Sequence, residues 1–309
     1  MIRQPDNSAE SIGLNKSIAN YLLTLKIGDQ LLSTRELADQ FNASLGSISY
    51  AVNNLEEIGA VTINRRGRLG SFLEKKSLGA LWNIIENSPM IIALTLPSFP
   101  KCEGLATALY SLLNNAGIET YMIFLRGSFN RMKALRDGRC HAVVISELAA
   151  DEFCGQDEEV ILRLPPRSFV TDHRVFYRSN IEENSQPLRV GIDYDSFDLK
   201  YITELEFSGC DVVYYPVPLT IIDRHLEKST VDAAISNLDH LERLVSNEIA
   251  SRPLKPNIQA LIGQRDTSAA IVIRAGSDST KIVLDEILEV PLILEIQQQV
   301  VDGTMVPRY

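Results

Sequence analysis

The run LLSTRELADQFNASLGSISYAVNNLEEIGAVTINRRGRLGSFL, residues 31 to 73, contains its own start and stop signals. Ser33 precedes an apolar-periodic stretch and Glu36 follows three residues later, a capping box that opens a short helix through Leu37, Ala38 and Phe41. Asn42 and Ala43 make a tight turn. A second helix is expected from Ser44, with Ile48, Ala51, Val52, Leu55 and Ile58 at spacings of three and four on one buried face. Gly59 ends it. Ala60 to Asn64 and Gly70 to Leu73 read as two strands around a basic tip carrying Arg65, Arg66 and Arg68.

Helix, short turn, helix and basic hairpin is the order of a winged helix-turn-helix, whose second helix enters the major groove while the wing touches the backbone or minor groove. Leu14, Ile18, Tyr21, Leu22 and Leu25 supply a third helix, ending before Gly28, and residues 1 to 12 read as a frayed polar terminus. The sequence resembles the amino-terminal domain of GntR-type bacterial regulators through Thr34-Arg35-Glu36-Leu37-Ala38, Leu55-Glu56-Glu57-Ile58-Gly59 and Gly67-Arg68-Leu69-Gly70-Ser71-Phe72. The resemblance implies a DNA contact for Arg35. Where that family places arginines in the second helix, this chain has Leu45 and Ser49. The expected DNA-facing set is therefore Thr34, Arg35, Ser44, Ser47, Ser49, Tyr50 and Asn53, with Arg65, Arg66 and Arg68 on the wing.

The 309 residues are 45% hydrophobic and 23% charged, an ordinary globular balance long enough for more than one core. The net charge of -10 is unevenly spread: residues 1 to 80 carry +1 and residues 81 to 309 carry -11. An acidic body repels DNA and leaves the basic hairpin as the contact surface. Cys102, Cys140, Cys154 and Cys210 form no paired spacing, so buried or half-buried thiols are expected, with no metal and no cofactor. No apolar run is long enough for a membrane span, and a cytoplasmic location is expected.

Glu74 to Ser77 reads as a charged tether, and Leu78, Leu81, Trp82 and Ile85 as an amphipathic linker helix stopped by Asn87-Ser88-Pro89. Trp82 is expected either to pack against a neighbouring domain or to mark a self-association surface. From Met90 the pattern changes to strand and helix in alternation. MIIALTL, ETYMIFL and HAVVIS are strands separated by helices, and LRVGIDY, DVVYYPV and VDAAIS repeat the scheme, which implies two parallel α/β lobes. VILRLPPRSFVTDHRVFYRSN and IQALIGQRDTSAAIVIRAG supply the segments that cross between them. The expected division is 1–76 for the DNA-binding head, 77–88 for the linker helix and 89–309 for the two-lobe body, with lobe I at about 89–172 and 258–309 and lobe II at about 185–250.

The body resembles the type-2 periplasmic-binding-protein fold, and the fusion as a whole resembles the YhfZ-type transcriptional regulators. The resemblance implies an α/β protein in which a winged helix-turn-helix is controlled by a small-molecule effector. The expected partners are double-stranded DNA, an effector and a second copy of the chain, with no membrane. Ligands of open α/β lobes sit beyond the carboxyl ends of the strands, near helix amino termini. That rule selects Ser98, Phe99 and Lys101 after the first strand, Arg126, Gly127, Ser128 and Phe129 after the second, Ser146 after the third, and Asp193, Tyr194, Asp195 and Ser196 in the other lobe. Arg126 and Lys101 beside helix starts suit an anionic metabolite, while Asp193 and Asp195 add a preference for amine or hydroxyl groups. An enzyme and a tethering protein on the same fold remain alternatives. His141, His173, His225 and His240 read as surface or boundary residues with no catalytic partner, and no nucleophile, phosphate-loop or metalloprotease motif is present, so no enzyme is expected.

Overall fold

The computed structural model describes residues 9–179, 187–241 and 249–309. Of residues 1 to 12, expected to be frayed, 9 to 12 are helical, while residues 1 to 8 and the His240 side chain lie outside the described residues. The chain forms two compact units: Met1–Met90 with Leu112–Tyr121 and Ser277–Leu288, and Ile91–Ser111 with Met122–Gly276 and Glu289–Tyr309.

The first unit opens with α1 (Ala9–Thr24), which starts earlier than its apolar stripe indicated. Next come α2 (Thr34–Gln40) and α3 (Leu45–Glu57). Ser33 forms the expected capping box with Glu36, accepting from the Glu36 amide while the carboxylate accepts from the Ser33 amide at 2.7 Å. Asn42 takes a left-handed conformation in the turn, φ 50. Ile48, Ala51 and Leu55 are buried as the spacing required. Ile58 is not: α3 ends at Glu57, so Ile58 falls off the stripe as the cap and is 53% exposed. The hairpin pairs β1 (Val61–Arg65) with β2 (Ser71–Lys76) across a 3-10 turn at Gly67–Leu69.

The expected tether is therefore strand. Glu74, Lys75 and Lys76 continue β2, and Ser77 caps α4 (Leu78–Glu86) directly. Asn87 ends α4 in the left-handed region. Trp82 is fully buried, its indole N–H donating to the Ser88 carbonyl at 2.9 Å, so it offers no self-association surface.

The remaining strands and helices include the two expected βαβαβ runs. They are β3 (Met90–Leu94), α5 (Pro100–Asn115), β4 (Thr120–Phe124), α6 (Ser128–Arg136), β5 (Ala142–Ser146), α7 (Glu147–Phe153) and β6 (Glu158–Arg163). Then come β7 (His173–Arg178), β8 (Leu188–Ile192), α8 (Phe197–Glu206), β9 (Val212–Pro216), α9 (Ile222–Glu227), β10 (Ala233–Asn237), α10 (Leu238–Leu241) and β11 (Ile249–Pro253). The chain closes with α11 (Pro256–Ile262), β12 (Ala269–Arg274), α12 (Asp278–Ile287) and α13 (Val290–Val301). In the first unit, α12 packs on α1 and α4.

Two five-stranded sheets result, ordered β4-β3-β5-β12-β6 and β11-β7-β10-β8-β9. The βαβ strands run parallel, while β12, β6, β7 and β11 add antiparallel pairings. Two connections pass between the sheets, from β6 to β7 and from β11 through α11 to β12, the segments the sequence offered for crossing. Strand alternation sets the cores: Val175, Ala233 and Ile235 face one cluster of the second sheet, and Phe176 and Ala234 face another. The first sheet buries Val143, Ile145, Ala270 and Val272 against Met132 and Leu135 of α6. Cys102 and Cys140 are buried and Cys154 is half-buried, but Cys210 is exposed, since it lies in the turn after α8 and not within an element.

Candidate functional site

In the head, Ser44 caps α3 by accepting from the Ser47 amide at 3.0 Å, and the two hydroxyls meet at 2.8 Å. That interaction orients the helix start and leaves Ser47, Ser49, Tyr50 and Asn53 exposed along one face. Thr34, Ser49, Asn53 and Arg65 line one groove of about 440 Å³ between α2, α3 and the hairpin. Arg35, Arg66 and Arg68 are exposed and do not line it. The three wing arginines differ in what holds them. Arg65 folds back onto α3, where its guanidinium donates to both Glu56 carboxylate oxygens and to Asn53 Oδ1 at 3.3 Å. Arg66 stacks 4.8 Å over the Phe72 ring. Arg68 lies in the 3-10 turn at the tip.

In the body, the carboxyl ends of the strands meet around a cavity of about 70 Å³. Of the residues expected there, Ser98, Phe99, Arg126, Gly127, Asp193 and Ser196 line it. The others are held elsewhere. Lys101 donates to the Arg167 carbonyl at 2.8 Å, and burial lowers its pKa. Ser128 accepts from the Phe197 amide at 3.0 Å, and Ser146 donates to Asp198 Oδ1 at 2.7 Å while capping α7. Phe129 joins Phe153 and Phe197 in edge-to-face contacts at 4.9 and 6.5 Å, so it packs in an aromatic cluster and does not wall the cavity. Tyr194 is 47% exposed.

Arg126 does not present the free positive charge expected of it. Its guanidinium spans Asp193, at 3.2 Å, and Asp195. Asp193 is filled further by the Asp195 amide at 3.1 Å and the Leu219 amide at 2.8 Å. Arg126, Ser128 and Ser146 belong to the first lobe and their partners to the second, so these bonds latch the lobes together. Gly127 lies so close to the Asp195 carbonyl that an added Cβ would fall within 3.0 Å of it.

Three lining residues carry charge that sequence reasoning missed. Arg131 is 4% exposed; its Nη1 donates to the Leu125 carbonyl at 2.9 Å, and its Nε–H meets no acceptor among the described residues. Burial lowers its pKa to about 10. Asp198 is buried, which raises its pKa to about 6 against the pull of His173 and of the Ser146 hydrogen bond. His173, the first residue of β7, is not on the surface: it is 4% exposed, with Nδ1 2.7 Å from Asp266. Burial opposes its charge, but the carboxylate outweighs that and leaves its pKa raised. The signal for Arg131 and Asp198 was present in the spacing. Arg131 shares the buried stripe of Ser128, Met132 and Leu135, and Asp198 that of Leu199, Ile202 and Thr203.

Among the described residues no cluster of His, Cys, Asp and Glu is arranged to hold a metal ion, and no helix is long and apolar enough to cross a membrane. Residues 26–73 match a helix-turn-helix domain, and residues 78–309 match the YhfZ C-terminal domain. YhfZ of Escherichia coli (strain K12) is 31% identical over 294 residues, 95% of each chain. The crystal structure of YhfZ from Shigella flexneri is similar at 27% identity and TM-score 0.61, over 75% of this chain and 98% of that one. A periplasmic substrate-binding protein of an ABC transporter from Coxiella burnetii aligns at 15% identity and TM-score 0.43, over 71% of this chain and 100% of that one. A helix-turn-helix head joined to a two-lobe α/β body is the organisation of a DNA-binding regulator, and the match of residues 78–309 to the YhfZ C-terminal domain, with 31% identity to YhfZ over 95% of each chain, means that the chain belongs to the YhfZ family.

Proposed function

We propose that the chain is a transcriptional regulator that binds duplex DNA as a homodimer and whose affinity for its operator is set by a small molecule held between the two lobes of the body. The observation that carries this reading is the cavity at the strand ends. Its lining includes a buried arginine with an unused donor, and its two sides belong to lobes joined by crossing segments. Such lobes form a hinge, and a ligand that prefers one arrangement shifts the population of both. A coupling of about 1 to 3 kcal/mol suffices to change operator occupancy five- to 150-fold.

Dimerisation follows from charge. A head of net charge +1 makes few phosphate contacts, and two linked heads multiply them. The operator is then an inverted repeat with half-sites about 34 Å apart, or a multiple of that spacing. Selection from a random duplex library, followed by anisotropy titration with and without a metabolite extract, tests the reading. An enriched palindrome whose affinity changes with the extract supports it. Enrichment of a single half-site by a monomer, or affinity indifferent to every extract, overturns it.

A further inference from the structure

We infer that the cavity takes a short-chain carboxylic acid of only a few non-hydrogen atoms that carries a hydrogen-bond donor beside its carboxylate, an identification that rests on the effector reading above.

The carboxylate follows from Arg131. A guanidinium removed from water needs an opposite charge or a full set of acceptors. Arg131 has the Leu125 carbonyl, an Nε–H without an acceptor and no ion pair within 4.0 Å among the described residues, the Asp198 carboxylate acting on it only from farther off, and it lines the cavity. A planar two-oxygen acceptor matches its fork. Arg126, the other arginine of the lining, is already occupied by Asp193 and Asp195, so one cationic group is left for the ligand.

The donor follows from Asp198, which lines the same space at 6% exposure with its Oδ1 taken by Ser146. A carboxylate there repels a second negative charge and attracts a hydroxyl or ammonium group. His173, the neighbouring histidine, already faces Asp266 at 2.7 Å.

A space of about 70 Å³ is about half the roughly 150 Å³ of an apolar cavity that takes benzene, so it holds only a few non-hydrogen atoms. Ligand sites for larger molecules enclose about 300 to 1,000 Å³. Leu96, Phe99, Phe169, Val170, Leu199 and Leu219 line the remainder, which suits carbon and disfavours an all-oxygen ion such as phosphate.

The test is isothermal titration and thermal melting of the full chain with glycolate, glycine, acetate and inorganic phosphate. Glycolate carries the donor as a hydroxyl and glycine carries it as an ammonium. One of the two should bind saturably at least tenfold more tightly than acetate, and phosphate should not bind. Arg131→Gln should weaken that binding at least tenfold. Because Arg131 is buried and the variant can fail to fold, Asp198→Asn is the second probe: it should erase the advantage over acetate while retaining carboxylate binding. Equal binding of all four probes, or binding unaffected by both substitutions, overturns the inference. If none of the four binds but a larger or cationic metabolite binds and changes operator affinity, the ligand class is wrong and the effector reading stands. If no metabolite of any class changes melting or operator affinity, both fall.

Discussion

The Arg65 guanidinium is held by Glu56 and Asn53, whereas Arg68 extends from the hairpin tip, so the wing arginines are not equivalent. Arg68→Ala should weaken binding to all DNA alike and flatten the dependence of log affinity on log salt by about one unit. Arg65→Ala should change that slope less and shift sequence preference, because Asn53 on the recognition face loses its partner; salt-dependent anisotropy on two operators separates the outcomes. Asp198 makes a second prediction. Its pKa is raised to about 6, chiefly by burial, so the folded chain holds this proton more tightly than the unfolded one. The stabilising contribution is fully present below about pH 4 and is lost as pH rises through about 6. His173 acts with the same sign, its contribution present below its unfolded value of about 6.5 and lost above its raised folded value. Asp198→Asn removes the first effect, so its stability relative to wild type should rise by on the order of 2 kcal/mol between pH 4 and pH 7. Urea unfolding at both pH values measures it, and parallel midpoints would refute it.

At the scale of elements, β2 does more than complete the wing. The side chain of Lys76, its last residue, is 5% exposed and donates to the Leu23 and Leu25 carbonyls at 3.0 and 2.8 Å and to Glu286 of α12 at 2.6 Å. An ammonium at the carboxyl end of α1 satisfies carbonyls that the helix leaves open. Lys76→Met strands them, and should cost about 2 to 3 kcal/mol in chemical denaturation. Glu286→Gln should cost under about 1 kcal/mol, because that carboxylate is 40% exposed. On α4, Gly79 lies against the Gly117 carbonyl, where a Cβ would fall within 3.0 Å of backbone. Gly79→Ala should destabilise the first unit by about 1 to 3 kcal/mol, seen as a lower melting temperature. Capping box, turn and hairpin were legible because each is fixed by residues a few positions apart. Lys76 was not: Glu74-Lys75-Lys76 reads as a solvated charged run, and only carbonyls some fifty residues away make its burial favourable.

For the whole molecule, the latch at Arg126, Ser128 and Ser146 leaves no room for a side chain at residue 127. Gly127→Ala should hold the lobes apart, raising the radius of gyration in small-angle scattering and abolishing effector binding; an unchanged radius with intact binding would remove the latch from the mechanism. Both βαβαβ runs and both crossings were legible from strand periodicity. Of the residues selected by the rule that ligands gather at strand ends, Ser98, Phe99, Arg126, Gly127, Asp193 and Ser196 line the cavity. The pairing of Arg126 with Asp193 and Asp195 joins loops almost seventy residues apart, beyond any local pattern. Arg131 and Asp198 escaped because the rule selects loops at strand ends and both lie within helices, and His173 reads from the sequence as a surface or boundary residue. Finally, Leu112–Tyr121 and Ser277–Leu288 belong to the same compact unit as the head, with α12 seated on α1 and α4. A protease nick between residues 88 and 89 would therefore not release a free head. The two pieces should co-elute and melt together, and a hybrid made by splicing a foreign winged helix at that point would have to bring its own surface for α12.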